Sequence, residues 1–106
     1  MAIVSAVVAS GFTVSSAVVL FPADRRWALY VPSMAPNTIR VDFATSSSAN
    51  DFGPLYSAAD QPATVTSGST RPAWSPPFVP VTPFARVSLA TVTLDVASFL
   101  LCPVTR

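Results

Sequence analysis

A solvated helix needs lysine, glutamate or glutamine along its exposed face, and this chain has neither lysine nor glutamate. Its six cations are Arg25, Arg26, Arg40, Arg71, Arg86 and Arg106, and its five acids are Asp24, Asp42, Asp51, Asp60 and Asp95. Little material is left for an amphipathic helix, so β-structure is expected before any periodicity is counted. Eleven prolines add to the constraint, because each removes a backbone donor and confines the chain to short segments. The expected fold is all-β: a single antiparallel β-sandwich or jelly-roll-like domain.

A length of 106 residues has apolar surface for one core, so residues 1–106 are expected to form one domain, with 57–83 as an irregular Pro-rich loop or edge-strand region. Charged residues make up 10% of the chain against 51% hydrophobic, so much of the surface is expected to sit against other subunits. Arginine without lysine fits that expectation, since a guanidinium favours forked, partly buried contacts over solvated ones.

The first 23 residues carry no charge, and Ala2 to Phe21 has the length of a membrane span. Ser5, Ser10, Thr13, Ser15 and Ser16 interrupt the run, Gly11 breaks it, and valine stands where leucine would be expected. No basic segment precedes an apolar core as in a secretory signal. Two strands are the preferred reading. Ile3, Ser5 and Val7 alternate with Val4, Ala6 and Val8; after Gly11, Phe12, Val14, Ser16, Val18 and Leu20 are expected on one face.

Phe21-Pro22-Ala23-Asp24 is then a loop. Trp27, Leu29 and Val31 are expected on one face of a strand, with Arg26, Ala28 and Tyr30 on the other. Pro32 to Asn37 is a turn region. In Thr38 to Ala44, Ile39, Val41 and Phe43 alternate with Arg40 and Asp42, which read as an exposed surface pair of little net value. A polar loop spans 45–53, with Pro54-Leu55-Tyr56 as a short strand after it. Val65 and the stretch from Trp74 to Val81 supply edge-strand pieces. Phe84 to Val92 is a strand with Ala85, Val87 and Leu89 on one face, and Leu94 to Val104 reads as the last strand.

Catalytic schemes can be tested by inventory. Without histidine there is no imidazole base, and without lysine there is no Schiff base or phosphate-loop lysine. One cysteine and no histidine cannot make a structural zinc site, and Cys102 in its apolar run reads as a small buried hydrophobe. Gly11, Gly53 and Gly68 are too far apart for a phosphate-cradling loop. Nothing marks out two of the five aspartates for glycoside hydrolysis. Asp51 beside Asn50 reads as a solvated turn rather than a calcium ligand. A net charge of +1, with Arg25-Arg26 as the one adjacent pair, gives no basis for nucleic-acid binding. The chain is therefore read as non-enzymatic, with no cofactor, metal, nucleic acid or membrane partner.

The order of segments also carries a resemblance. Ser10-Gly11-Phe12-Thr13-Val14-Ser15-Ser16-Ala17 resembles the "SG-x-T-x-S-x-A" opening strand of small β-sandwich virion proteins of tailed phages and prophages. The strand and Pro turn of Trp27 to Pro36, the loop from Thr45 to Tyr56, the strand Phe84-Ala85-Arg86-Val87 and the closing Val104-Thr105-Arg106 are similar to later segments of those proteins. The match spans nearly the whole chain in short pieces, and the Pro-rich middle departs from it. The resemblance implies a structural protein of the phage particle, made in the host cytoplasm, with no catalytic residues to carry over.

The expected function is thus a capsid decoration or cement protein that stabilises contacts between capsid subunits. Its expected partners are the major capsid protein or other virion proteins and further copies of itself, for example in a trimer. A collar, tail or head-fibre component with host-glycan binding through Trp74, Phe78 and Tyr56 is the alternative. Candidate interface residues are Trp74, Phe78, Phe84, Arg25, Arg26, Tyr30 and Tyr56, because aromatic and arginine side chains anchor most protein interfaces.

Overall fold

The computed structural model describes residues 3–21, 25–46, 51–54, 56–58, 61–68 and 70–104, with 56–58 and 61–62 described by backbone pairing alone. Within these residues the chain is all-β, with no helix. Eleven strands appear in chain order: β1 (Val4–Val8), β2 (Val18–Val19), β3 (Trp27–Val31), β4 (Thr38–Ala44), β5 (Gly53–Pro54), β6 (Tyr56–Ala58), β7 (Gln61–Pro62), β8 (Val65–Thr66), β9 (Ala73–Trp74), β10 (Phe84–Leu89) and β11 (Ala97–Pro103). Two antiparallel sheets pack together as a sandwich. The first runs β1-β11-β3-β9 and the second β2-β10-β4-β5, with β8 also pairing β4; β6 and β7 form a separate ribbon.

The period-2 pattern explains why the sheets meet. Trp27, Leu29 and Val31 of β3 are at most 1% exposed, as are Phe99 and Leu101 of β11. They face Ile39, Val41 and Phe43 of β4 and Ala85, Val87 and Leu89 of β10 across one continuous core. Burying side chains of this size stabilises by about 1.5–3 kcal/mol each, and that apolar layer offsets the entropy of ordering the loops.

Three strands are shorter than their sequence pattern suggests, each for a local reason. The last strand begins at Ala97 rather than Leu94, because its partner β1 ends at Val8 opposite Ala97. Beyond Val8 the chain turns. Phe12 N–H donates to Ala9 C=O at 3.1 Å, and Gly11 takes φ 81°. That positive angle is what position i+2 of a type II turn requires and what glycine adopts at no steric cost. Leu94, left unpaired, is 93% exposed.

Residues 12–20 do not form one alternating strand. Val14 bridges Ser88 and Val18–Val19 pair with β10, but between them the Ser15 hydroxyl accepts the Val87 N–H at 2.9 Å. A side-chain oxygen there replaces a ladder carbonyl, so the pattern slips. Phe12 is 60% exposed while Leu20 is fully buried, and they do not share a face.

The β10 ladder likewise stops at Leu89. Asn37 then clamps the following turn: its Nδ2 donates to Thr91 C=O at 2.9 Å, and its Oδ1 accepts from the N–H groups of Thr38 and Thr91. The Pro22-Ala23-Asp24 loop, Asn50, Leu55, Asp60 and the closing Thr105-Arg106 lie outside the described residues.

Candidate functional site: an aromatic row and a buried carboxylate

The outer faces of the two sheets differ in kind. On the first sheet, register places Ser5, Leu100, Tyr30 and Trp74 side by side in one row across all four strands. Val7 with Ser98, and Ala28 with Cys102, flank that row on the same face. No residue in this set is charged; the exposed Arg26 continues the alternation of Ala28 and Tyr30 at the end of the sheet, where its C=O accepts the Val104 N–H at 2.8 Å. An antiparallel sheet with one solvated face normally turns mostly polar side chains outward, whereas this row sets Leu100, Tyr30 and Trp74 beside Ser5.

Trp74 is the most prominent group on it. The ring is 56% exposed and meets Tyr30 edge-on, with centroids 5.0 Å apart and planes at 66°. Its strand is held firmly despite its two-residue length. Ser75 N–H donates to Leu29 C=O at 2.9 Å, and Leu29 N–H donates to the Ser75 hydroxyl at 2.8 Å. Beyond Pro76-Pro77, which have no donors, Phe78 and Trp27 exchange two backbone bonds of 2.8 Å. The Pro-rich stretch is therefore an edge laced along β3, and Trp74 is displayed on a rigid element.

The other candidate residues scatter. Phe78 turns inward from Trp74 and packs edge-on against Phe43 at 6.0 Å, half-buried against the core. A sugar-stacking platform shared by Trp74 and Phe78 is thus not assembled. Phe84 opens β10 opposite Ala44 and Val19, on the second sheet. Arg25 and Arg26 are exposed just before β3, away from the Tyr30–Trp74 pair in register. Tyr56 lies on β6 and pairs with Pro62; its side chain is outside the described set. Among the candidates whose side chains are described, only Tyr30 and Trp74 come together.

Cys102 sits half-buried on the first sheet's outer face, and burial pushes its thiol above the ordinary value of 9.0. A group whose folded pKa is raised gives stability that is fully present below the unfolded pKa and is lost as pH rises through the folded one. Thermal midpoints of the wild type should therefore fall more between pH 8 and pH 10 than those of Cys102→Ala. Parallel curves would refute that role.

The second sheet carries the charge. Asp42 corrects the expectation of an exposed pair: its side chain is 1% exposed, although alternation places it on the outward face. Arg40 Nε donates to Asp42 Oδ1 at 2.9 Å, and Arg86 Nε lies 3.5 Å from Oδ2. The register explains the meeting, since Arg86 sits directly opposite Asp42 and Pro54 flanks it on the other side. Phe52 covers the Arg86 guanidinium at 4.4 Å. Nearby strand side chains, not the core, bury this carboxylate.

Asp51, read as a turn residue, accepts from the Thr45 N–H and hydroxyl at 3.3 and 3.0 Å. Among the described residues no three histidine, cysteine, aspartate or glutamate side chains group so as to hold a metal ion, and no helix is long and apolar enough to cross a membrane. Comparison of the chain with known protein families, with curated proteins and with solved structures finds no match.

Proposed function

We propose that the chain is a non-enzymatic structural protein of a tailed-phage virion, of the capsid decoration or cement type, which docks the uncharged row across the outer face of its first sheet onto neighbouring subunits. The observation that carries the docking part is the row Ser5–Leu100–Tyr30–Trp74, charge-free and ending on a half-exposed indole. Interface cores are depleted in charge and enriched in tryptophan and tyrosine. The second sheet differs in carrying Arg40, Asp42 and Arg86, of which Arg40 is 42% exposed and Asp42 is buried. The virion part rests on the resemblance of the segment order to that of small phage sandwich proteins.

Mixing the purified chain with empty capsids of the phage that encodes it tests both parts. Wild-type protein should co-sediment along the capsid shell, and Trp74→Ala should bind at least about tenfold more weakly, the scale of an interface anchor. Absence of binding, or binding confined to the tail vertex, would remove the decoration reading. Unchanged binding by Trp74→Ala would remove this face.

A further inference from the structure

We infer that two copies of this chain pair through β1, edge to edge and antiparallel, joining their first sheets into one eight-stranded sheet.

The described part of the charge-free N-terminal run, residues 3–21, lies along one flank of the sandwich. Residues 4–8 are the edge of the first sheet, and residues 14–19 are the edge of the second, beside β10. Five of the eleven exposed large hydrophobics, Ile3, Val7, Phe12, Val19 and Phe21, fall within this run. β1 pairs with β11 on one side, and no partner among the described residues takes its other side.

An open edge of this kind is a template for another strand. Sheets that stay monomeric block it with lysine, proline, a bulge or an inward charge. Val4-Ser5-Ala6-Val7-Val8 has none of these, and its register against β11 runs without a shift. The opposite edge is built differently: β9 has two residues and runs into Pro76-Pro77, which cannot donate. Among the described residues one edge is blocked and the other left open.

A second copy is the occupant that fits. Antiparallel pairing about a two-fold axis is self-complementary, because each strand meets the same strand reversed. A charge-free edge meets no like-charge repulsion when it meets itself. The outer faces would then merge, with the two Trp74 rings at opposite ends, roughly 30–35 Å apart at the usual strand spacing. The pairing deepens the docking proposal by doubling its surface, but it is measured on the isolated protein and stands or falls separately.

Sedimentation equilibrium of the full chain across a dilution series reads it directly. Wild type should be a dimer that dissociates on dilution. Ser5→Lys, at an exposed outward position of β1, should weaken self-association at least roughly tenfold. Trp74→Ala, on the far edge, should dimerise like wild type while losing particle binding. If Ser5→Lys fails to give a β-type circular dichroism spectrum, Val7→Lys makes the same test. A wild type that is monomeric throughout, or folded Lys variants that dimerise like wild type, would overturn the pairing. Particle binding by a monomeric wild type would leave the docking reading in place.

Discussion

Trp27→Ala is expected to cost on the order of 3–5 kcal/mol of folding stability, a large share of the roughly 5–15 kcal/mol that holds such a domain together. The Trp27 side chain is wholly buried, and it lies on the strand that joins β11 to the Pro-rich edge. Truncation leaves a cavity that flanking β-strands, fixed by their ladders, cannot collapse to fill. At about 4–8 °C per kcal/mol, the thermal midpoint should fall by more than about 12 °C. The same truncation at Trp74 removes a ring that is 56% exposed and should move the midpoint only slightly. Equal losses at both positions would mean that the Trp74 edge belongs to the core, and the docking face would lose its anchor.

The second large effect is expected at Asp42. Asp42→Ala leaves the guanidinium groups of Arg40 and Arg86 side by side without their shared carboxylate. Breaking one partner from a buried ion pair costs about 3–5 kcal/mol; the 42% exposure of Arg40 allows water to screen part of this, so about 2–4 kcal/mol is expected. Replacing Asp42 and Arg86 together with apolar residues of similar volume should recover most of the loss, since no charge is then left in the cluster's buried part. Chemical denaturation of the single and double variants checks both statements. A single variant within about 0.5 kcal/mol of wild type would place Asp42 among ordinary surface positions.

Those two residues mark where sequence pattern informs the fold and where it stops. The inward set was legible because Trp27, Leu29 and Val31, then Ile39, Val41 and Phe43, alternate cleanly, and a period of two admits only a half-buried strand. Asp42 follows the same alternation outward, yet it is buried where Arg86 of β10, itself under the Phe52 ring, stands opposite it and Pro54 of β5 flanks it. Those contacts arise from strand neighbours far apart in the chain, which no local window contains. Strand ends were similarly hidden. Leu94 and Val96 are apolar like the strand that follows, but the ladder ends where β1 gives way to the turn at Gly11. Ser15 and Asn37 satisfy backbone groups through side chains, a role that their polar character alone does not reveal.

The candidate surface was legible only in part. Trp74 and Tyr30 stand out as aromatics, but 44 residues separate them, and only the β3–β9 register sets one ring against the other. Phe78 differs from Trp74 by an even number of positions, so simple alternation would place both on one face. The Pro76-Pro77 step breaks that count and turns Phe78 inward. The missing charge across the first sheet was visible as composition, yet its gathering onto one face and one flank depends on sheet order.

The central claim, that the outer face of the first sheet meets another subunit, is tested most directly by hydroxyl-radical footprinting of the chain free and bound to capsids. Oxidation of Trp74 and Tyr30 should fall sharply on binding, while that of Leu94, 93% exposed on the 91–96 turn, should change little. Trp74 oxidised as fast in the bound state as in the free one would contradict the account.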